Sequence, residues 1–268
     1  MTDWERLTAE LDLWQSEGRI ATFWWRDDDL VAPTAALERL LHLREHFDLP
    51  ISLAVIPSAV DPALLDYVED CTILQHGYQH RNFAAEGSKK SEFPDIRNPD
   101  DIAEELTAGK ESLTRLFTNQ FVPVLVPPWN RIDERHVASL SGLGYIGLSR
   151  YKARNEPLAA PALAEINTHI DPVDWRGNRS VVATPALMDM ICGHLAARRR
   201  GAADPQEPTG LLTHHLVHDE EIWAMLYKLL ALLTDHPAVR WLPIEGAIAL
   251  VDDMPEDIFF RGSDEAEE

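Results

Sequence analysis

The chain has few basic residues. Among its 268 residues, 24 are Lys or Arg and 45 are Asp or Glu, which gives a net charge of −21 with histidine neutral. Phosphate backbones and anionic lipid surfaces are bound through a surplus of positive charge, which this chain lacks. We therefore expect no nucleic-acid partner and no membrane partner. The apolar content of 45% is ordinary for a globular chain and predicts a sizeable core.

Cysteines and long apolar runs are also scarce. Two cysteines, Cys71 and Cys192, are too few for a disulfide scaffold and indicate free thiols in a reducing compartment. The N-terminal segment lacks the basic start and apolar core of a secretory signal. The longest apolar stretches, such as 226–233, fall well short of the roughly 20 residues that span a bilayer. These absences predict a soluble, cytoplasmic protein.

Short apolar runs alternate with segments of helical period along most of the chain. The runs that predict strands are 20–25, 51–56, 72–75, 121–126, 145–148, 165–170, 210–213 and 239–241. The segments that predict helices are 2–17, 34–47, 100–117, 133–140, 185–199, 219–234 and 244–251. The alternation indicates a parallel sheet with crossover helices, and about seven or eight such units favour a closed α/β barrel.

The remaining stretches suggest how the chain is divided. We expect one barrel domain, residues 1–251, with the N-terminal helix 2–17 packed on it. The stretches 81–100 and 152–164 predict long loops. Residues 252–268 hold eight acidic residues and one arginine, which predicts an acidic tail without a chemical role.

Polar clusters follow five of the predicted strands, at the point where each strand stops. They are Arg26-Asp27-Asp28-Asp29, His76-Gly77-Tyr78-Gln79-His80, Pro127-Pro128-Trp129-Asn130-Arg131, Asp171-Pro172-Val173-Asp174-Trp175 and His214-His215. The carboxyl ends of the strands converge on one face of a barrel or an open α/β sheet, and functional sites are built there. We therefore expect the five clusters to form one site.

Two of the clusters favour a metal. The four-residue spacing of His76 and His80 could present both imidazoles to one point, and a carboxylate from 27–29 would complete a set with open coordination positions. Three adjacent carboxylates repel one another unless a cation lies close by. The alternatives are an exposed pair of loop histidines and an acidic helix cap. The histidine pair and the acidic cluster are both expected at the same face of the barrel, and this favours the metal site over these alternatives.

The other clusters suggest groups for acid catalysis and oxyanion binding. Pro127 and Pro128 stiffen a loop and fix the direction of the next N–H, on Trp129, as an oxyanion hole requires; the alternative is a rigid structural turn. The pair His214-His215 gives one inward and one outward imidazole. The inward one could be a general acid oriented by Asp174.

The ordered set of motifs resembles the NodB-homology polysaccharide deacetylases, carbohydrate esterase family 4. That family has an Asp-Asp pair at a strand end, an H-x-x-x-H, an Arg-Pro-Pro-Tyr/Trp-like loop, an Asp-x-x-Asp-Trp and a late Leu-x-His. This chain has Asp27-Asp28, His76/His80, Pro127-Pro128-Trp129, Asp171/Asp174/Trp175 and Leu212-x-His214, in the same order. The resemblance covers roughly residues 20–251 and implies a distorted (β/α)7-type barrel.

The resemblance also implies a metal and a set of roles. A divalent metal, usually zinc, would be held by Asp28, His76 and His80. Asp27 would be the general base for the attacking water, and His214 would protonate the leaving amine.

Further groups would surround the reacting bond. The resemblance implies that Asp174 sets the basicity of His214 and that the Trp129 N–H stabilises the oxyanion. Trp175 and Leu212 would line a slot for the acetyl methyl. The remaining residues that we expect to contact the substrate are Arg26, Arg131 and His215.

Departures from the family pattern leave some of these assignments open. Val126 stands where the family loop has Arg, and Arg26 or Arg131 could replace that charge near Asp27. Asp29 stands where the family has Gly, so the choice of base and metal ligand within 27–29 is open by one position. The choice of acid between His214 and His215 is open in the same way.

The sequence thus predicts a metal-dependent deacetylase that cleaves a linear amide C–N bond in an N-acylated amino sugar or related carbohydrate. Its partner would be a small-molecule or oligosaccharide substrate. One alternative is a catalytically silent carbohydrate-binding barrel, for which the eight tryptophans could supply stacking surfaces. Another is an amide hydrolase whose substrate is not a sugar.

Overall fold

The structure, a computed structural model, describes residues 2–251 and contains nine strands and seven α-helices in that range. The strands are β1 (Ala21–Leu30), β2 (Ser52–Val55), β3 (Thr72–His76), β4 (Phe121–Val126), β5 (Gly147–Leu148), β6 (Leu158–Ala160), β7 (Leu163–Glu165), β8 (Thr209–Thr213) and β9 (Val239–Trp241). The helices are α1 (Asp3–Ser16), α2 (Ala35–His46), α3 (Pro99–Phe117), α4 (Glu134–Val137), α5 (Thr184–Arg200), α6 (Glu220–Asp235) and α7 (Ile244–Ile248).

The strands form one curled sheet in the order β6-β7-β5-β4-β3-β2-β1-β8, and β9 pairs with the start of β1. Every pair is parallel except β6 with β7. Residues after β7 continue the curl, since Ile170 bridges to Leu211 of β8. The sheet is a half-barrel of mostly parallel strands, which agrees with the predicted distorted (β/α)7-type barrel.

The two faces of the sheet carry different cores because side chains alternate along each strand. Phe23 and Trp25 of β1 pack in the large cluster that includes α1, α2, α5 and α6. Trp24 packs on the opposite face, in the cluster that joins β2, β3, β4 and α7. The same alternation assigns Arg26 to the face of Trp24, and Asp27 to the face covered by α1, α2, α5 and α6.

Most predicted elements agree with the structure, and three need correction. The first strand does not end at Trp25 but continues to Leu30, so the cluster Arg26-Asp27-Asp28-Asp29 lies within β1 and not after it. The stretch 152–164 is not a continuous loop, because β6 and β7 form a short antiparallel pair within it. The predicted strand 165–170 is regular only at its start, and residues beyond Glu165 contribute isolated bridges at Thr168 and Ile170. The predicted acidic tail, 252–268, lies outside the described residues.

Two expectations from composition can be compared with the described residues. Cys71 and Cys192 are buried and unbonded to each other. Within residues 2–251, every helix is too short or too polar to cross a membrane.

Candidate active site

A β-bulge in β1 places the acidic cluster. Arg26 pairs with Ser52 and Asp27 with Leu53, but the next partner pair is Leu30 with Val55, so two residues of β1 lie opposite one residue of β2. Asp29 within this bulge has a φ of 72°, in the left-handed region. A bulge re-aims side chains that a regular strand would send to opposite faces. The consecutive residues Asp28 and Asp29 therefore both reach the same site.

Asp29 lies with both histidines of the H-x-x-x-H pattern. Its Oδ1 is 3.1 Å from Nε2 of His76 and 3.1 Å from Nε2 of His80. His76 ends β3 and is almost fully buried, whereas His80 has a left-handed φ of 54° that turns its ring back toward the strand end. The three ligand atoms lie close enough together to hold one metal ion.

The hydrogen bond behind His76 is consistent with that use. Nδ1 of His76 lies 3.0 Å from the carbonyl oxygen of Val126, which can only accept, so Nδ1 donates and keeps its proton in the neutral ring. Nε2, which donates to Asp29 when the ring is charged, is the nitrogen that offers a lone pair to a metal once it loses its proton. Burial alone would raise the pKa of Asp29, but hydrogen bonds with His76 and His80 outweigh it and hold that pKa far below its usual value. The site is therefore built around an ionised carboxylate.

Asp28 has a different partner. The guanidinium of Arg26 donates from Nε to Oδ1 at 2.8 Å and from Nη2 to Oδ2 at 3.0 Å, and both side chains are almost fully buried. Arg26 is fixed in turn by Ser149 Oγ and by Asn130 Oδ1, each at 2.6 Å. Such a two-point contact fixes both the position and the rotation of a carboxylate.

Asp27 lies on the helix-covered face, together with His215. Asp27 Oδ1 is 2.5 Å from Nδ1 of His215, while Oδ2 accepts hydrogen bonds from Thr213 Oγ1 and the His215 N–H. Burial would raise the pKa of Asp27, but the His215 charge and these hydrogen bonds outweigh it and lower the pKa. The structure therefore separates Asp27 and His215 from the face that carries Arg26 and Asp28.

His214 lies on the site side of the same turn. Its Nε2 is 4.0 Å from Asp28 Oδ2, and its ring contacts that of Trp175 edge-on with centroids 4.8 Å apart. The backbone N–H of His214 donates to Nε2 of His218 at 3.2 Å. An imidazole beside a fixed carboxylate is well placed to exchange a proton with a substrate.

In the 171–175 segment, Asp171 interacts electrostatically with His214, whereas Asp174 stabilises its own turn. Asp174 accepts from the backbone N–H groups of Arg176 and Gly177 at 3.2 and 3.0 Å. Asp171 accepts from Trp175 Nε1 at 2.7 Å. Burial raises the pKa of Asp171, and the charge of His214 partly offsets this effect.

The loop after β4 covers the histidine side of the site. Trp129 and Asn130 both have a φ of 57°, and consecutive left-handed residues other than glycine are strained conformations that cluster at functional sites. The Trp129 ring lies 4.6 Å from that of His80, centroid to centroid. Leu212 is buried and pairs in register with Arg26, so its side chain lies on the same face of the sheet as that of Arg26. Arg131 is exposed and donates to the Lys90 carbonyl.

Several contributing residues escaped the sequence analysis. Ser149 and Asn130 hold Arg26. Ser149 gave no signal because serine is common in loops, and Asn130 lay in the 127–131 cluster without an assigned role. Glu92, in the long loop before α3, accepts from the backbone of Tyr78 and Gln79 at 3.2 and 2.7 Å and so shapes the turn between the histidines. Asp171 belongs to the predicted 171–175 cluster, but the sequence pattern assigns the role of carboxylate partner of His214 to Asp174.

A second cluster of two histidines and a carboxylate lies at the other end of β8. Nε2 of His169 is 3.3 Å and Nε2 of His194 is 3.6 Å from the oxygens of Glu207, and the two rings stack at 3.5 Å. Here the Gly210 N–H donates to Nδ1 of His169, so in the neutral ring the proton is on Nε2, which faces Glu207. A protonated nitrogen offers no lone pair, and we assign no metal to this cluster.

Solved structures of deacetylases and esterases have the same fold. A Streptococcus mutans CE4 esterase matches with a TM-score of 0.56 at 12% identity, over 89% of this chain and 90% of that one. A peptidoglycan N-acetylglucosamine deacetylase, Bc1960, matches at 0.54 and 15%, over 84% and 86%. A family 4 acetyl xylan esterase from Clostridium thermocellum, in complex with a cobalt ion, matches at 0.52 and 10%, over 85% and 91%.

Comparison by sequence gives no such match. No protein-family model and no curated protein matches this chain. The structural matches extend over most of each chain, so they concern the whole barrel and not a shared fragment. The predicted resemblance is thereby confirmed for the fold: this chain folds as the polysaccharide deacetylases and family 4 carbohydrate esterases do.

Proposed function

We propose that this chain is a metal-dependent hydrolase that removes an N-acyl group, most simply acetyl, from an amino sugar or related carbohydrate. One observation carries the proposal. The candidate metal ligands His76, His80 and Asp29 lie on the same side of the sheet as Asp28, which Arg26 fixes in position. His214 lies 4.0 Å from the Asp28 carboxylate. The fold of deacetylases and esterases supports the same class of reaction.

A divalent metal, most simply zinc, fits the three residues. Two imidazole nitrogens and a carboxylate oxygen are a usual ligand set for zinc in hydrolases, with coordination positions left open. When bound, the metal would supply a Lewis acid that polarises the acyl carbonyl and lowers the pKa of the attacking water. This assignment moves the carboxylate ligand from Asp28 to Asp29, one position along β1.

The base in this proposal is Asp28. Its carboxylate faces the site, and the two hydrogen bonds from Arg26 fix it in one orientation. It would take a proton from the attacking water as the C–O bond forms. Asp27, for which we expected this role, is fully buried on the other face and bonded to His215.

The acid in this proposal is His214. Its imidazolium would protonate the amine nitrogen as the C–N bond breaks, so that a neutral amine leaves. Trp175 holds one edge of this ring, and Asp171 lies near enough to stabilise its charge.

Preorganised groups would complete the site. The Trp129 N–H, in a strained loop over His80, would donate to the oxyanion of the tetrahedral intermediate. Leu212 and the Trp175 ring would bound the space for the acyl methyl.

The test combines metal content with turnover. We would measure zinc and the hydrolysis of N-acetylglucosamine oligomers for the wild type, Asp29→Asn and Asp28→Asn. We expect Asp29→Asn to lose both metal and activity, and Asp28→Asn to keep the metal while kcat falls on the order of 10³-fold. An N-acetyl amino acid serves as the substrate that is not a sugar.

Other outcomes would favour the alternatives. A wild type that binds N-acetylglucosamine oligomers without hydrolysing them, with zinc supplied, indicates a carbohydrate-binding barrel. Faster hydrolysis of the N-acetyl amino acid than of the sugar indicates an amide hydrolase for substrates without a sugar. Retention of metal by Asp29→Asn and its loss from Asp28→Asn would restore the original order of roles.

A further inference from the structure

A cleft of about 400 Å³ is lined in part by Asn130 and Arg131, from the loop after β4 that borders the candidate active site. One wall is the long loop before α3, from Ala84 to Ile96, and the other is the 130–133 segment with Arg150. Two lining residues contact the guanidinium that fixes the base: Asn130 Oδ1 and the Arg150 carbonyl oxygen both accept hydrogen bonds from Arg26. The cleft is therefore bordered by groups that hold Arg26 in place, and its volume suits one small ligand group.

The charges that line this cleft are unbalanced. Arg150 is neutralised by ion pairs with Glu134 and Glu165, and Asp133 pairs with Arg135. Arg131 has no carboxylate within ion-pair distance among residues 2–251; its Nη1 donates to a backbone carbonyl.

Lys89 is exposed on the facing wall, and it too has no ion-pair partner among the described residues. Asp95 is the opposing charge at the rim and is exposed to solvent. Two cations thus face the cleft against one solvated carboxylate, in a chain whose net charge is −21.

A third cation links the cleft to the metal side of the site. Nζ of Lys90 lies 5.7 Å from the ring centroid of Trp129, and the same ring contacts His80. Lys90 also gives its carbonyl oxygen to Arg131. Positive charge therefore extends from the cleft to the edge of the candidate metal site, and it would attract anionic groups on a ligand bound there.

We infer that the substrate carries an acidic group next to its acylated amine, and that Lys89 and Arg131 bind this group in the cleft. A carboxylate and a phosphate share the chemistry that an arginine and a lysine recognise, so both remain sources of that charge. Ala84, Ala85 and Ile132 would contact the carbon skeleton that joins the acidic group to the sugar. This inference rests on the proposed function, because it names a class of substrate for the same site.

The test measures binding without requiring turnover. Calorimetry on Asp28→Asn loaded with zinc would compare N-acetylglucosamine with two acidic probes, N-acetylmuramic acid and N-acetylglucosamine 1-phosphate. We expect at least one acidic probe to bind about tenfold more tightly than the neutral sugar at low salt, and the difference to shrink at high salt. The probe that gains more identifies a carboxylate or a phosphate as the natural group.

Variants locate the effect. Adding Lys89→Gln and Arg131→Gln should remove the preference for the acidic probes, whereas adding Arg115→Gln, at an exposed arginine of α3 that does not line the cleft, should leave it. Equal affinities for all three probes, no binding of any probe, or a preference that survives loss of both cations would overturn the inference. Binding with the expected preference but no hydrolysis by the wild type would contradict the proposed function alone.

Discussion

Arg26 and Asp28 lie two residues apart on one face of β1, and the arginine holds the carboxylate through two hydrogen bonds of 2.8 and 3.0 Å. Both partners are almost fully buried. The strand thus carries both the proposed base and the group that fixes it, whereas the family pattern implies an arginine at the position of Val126. The spacing of two along a strand is what makes this pairing possible.

Replacement of Arg26 should therefore be costly. Arg26→Gln leaves the buried Asp28 carboxylate without its cation, and we expect a stability loss of about 3–5 kcal/mol with a large fall in kcat. Arg26→Lys should restore little activity, because an ammonium cannot make the two parallel contacts. Urea unfolding and deacetylation kinetics check both changes. Near-normal kinetics for Arg26→Lys would show that charge alone suffices.

The Asp27–His215 pair should be separable from the metal site. Asp27→Ala leaves Thr213 and His215 without their shared acceptor, and removal of one member of a buried ion pair costs about 3–5 kcal/mol. The metal content should stay near that of the wild type, since Asp27 faces away from His76 and His80. Unfolding curves and elemental analysis on the same samples test this. Loss of metal at an intact fold would count against the separation of the two faces.

Gly77 should tolerate no side chain. Its φ is +54°, and an added Cβ would meet Glu92 Oε2 at 2.0 Å and Pro128 Cδ at 2.6 Å. Gly77→Ala should therefore displace the turn that carries His80 and weaken zinc binding, beyond the roughly 1–3 kcal/mol of backbone strain. Gly87→Ala is the matched control, because Gly87 has a φ of +79° but open space around it. Equal zinc affinity in the two variants would contradict this prediction.

The buried His169–His194–Glu207 cluster should make the fold sensitive to acid. Burial is the main cause of a lowered pKa for His169, and it lowers the pKa of His194 to about 4. In the unfolded chain these histidines take up a proton near the ordinary pKa of 6.5, whereas in the folded chain they stay neutral to lower pH. Stability is then fully present above pH 6.5 and is lost as pH falls toward 4, on the order of 3 kcal/mol for His194.

Glu207 acts in the same direction at lower pH. Burial would raise its pKa, but hydrogen bonds with His169 and His194 lower it to about 2, so its contribution is lost as pH falls below 4.5. Urea unfolding at pH 7, 5.5 and 4.5 measures the loss that the histidines cause, before Glu207 begins to contribute. His194→Gln should flatten the profile between pH 6.5 and 4.5, and an unchanged slope in this variant would exclude the cluster as the cause.

The elements of the fold were predictable because apolar period separates strands from helices in this chain. The polar clusters that follow β3, β4 and β8 were recognisable for a related reason, since parallel strands bring their carboxyl ends together. Several of the site groups, among them His76, His80 and His214, could therefore be named before their geometry was seen.

The order of roles along β1 could not be predicted. Strict alternation would send Asp27 and Asp29 to one face and Asp28 to the other. The bulge opposite Ala54 breaks that alternation. It depends on the left-handed backbone conformation of Asp29, which the sequence pattern does not predict. Arg26 was named as a replacement for the family arginine, but its contact with Asp28 required the positions of both side chains.

The hydrogen bond from His76 to Val126 distinguishes the candidate metal site from the second cluster of the same composition. A carbonyl behind His76 makes Nε2 a ligand, whereas an amide N–H behind His169 makes Nε2 a proton donor. Two clusters of the same composition, His–His–carboxylate, thus differ in which nitrogen bears the proton. The orientation of the backbone behind each histidine thus makes the first cluster the candidate metal site and makes the second a poor one.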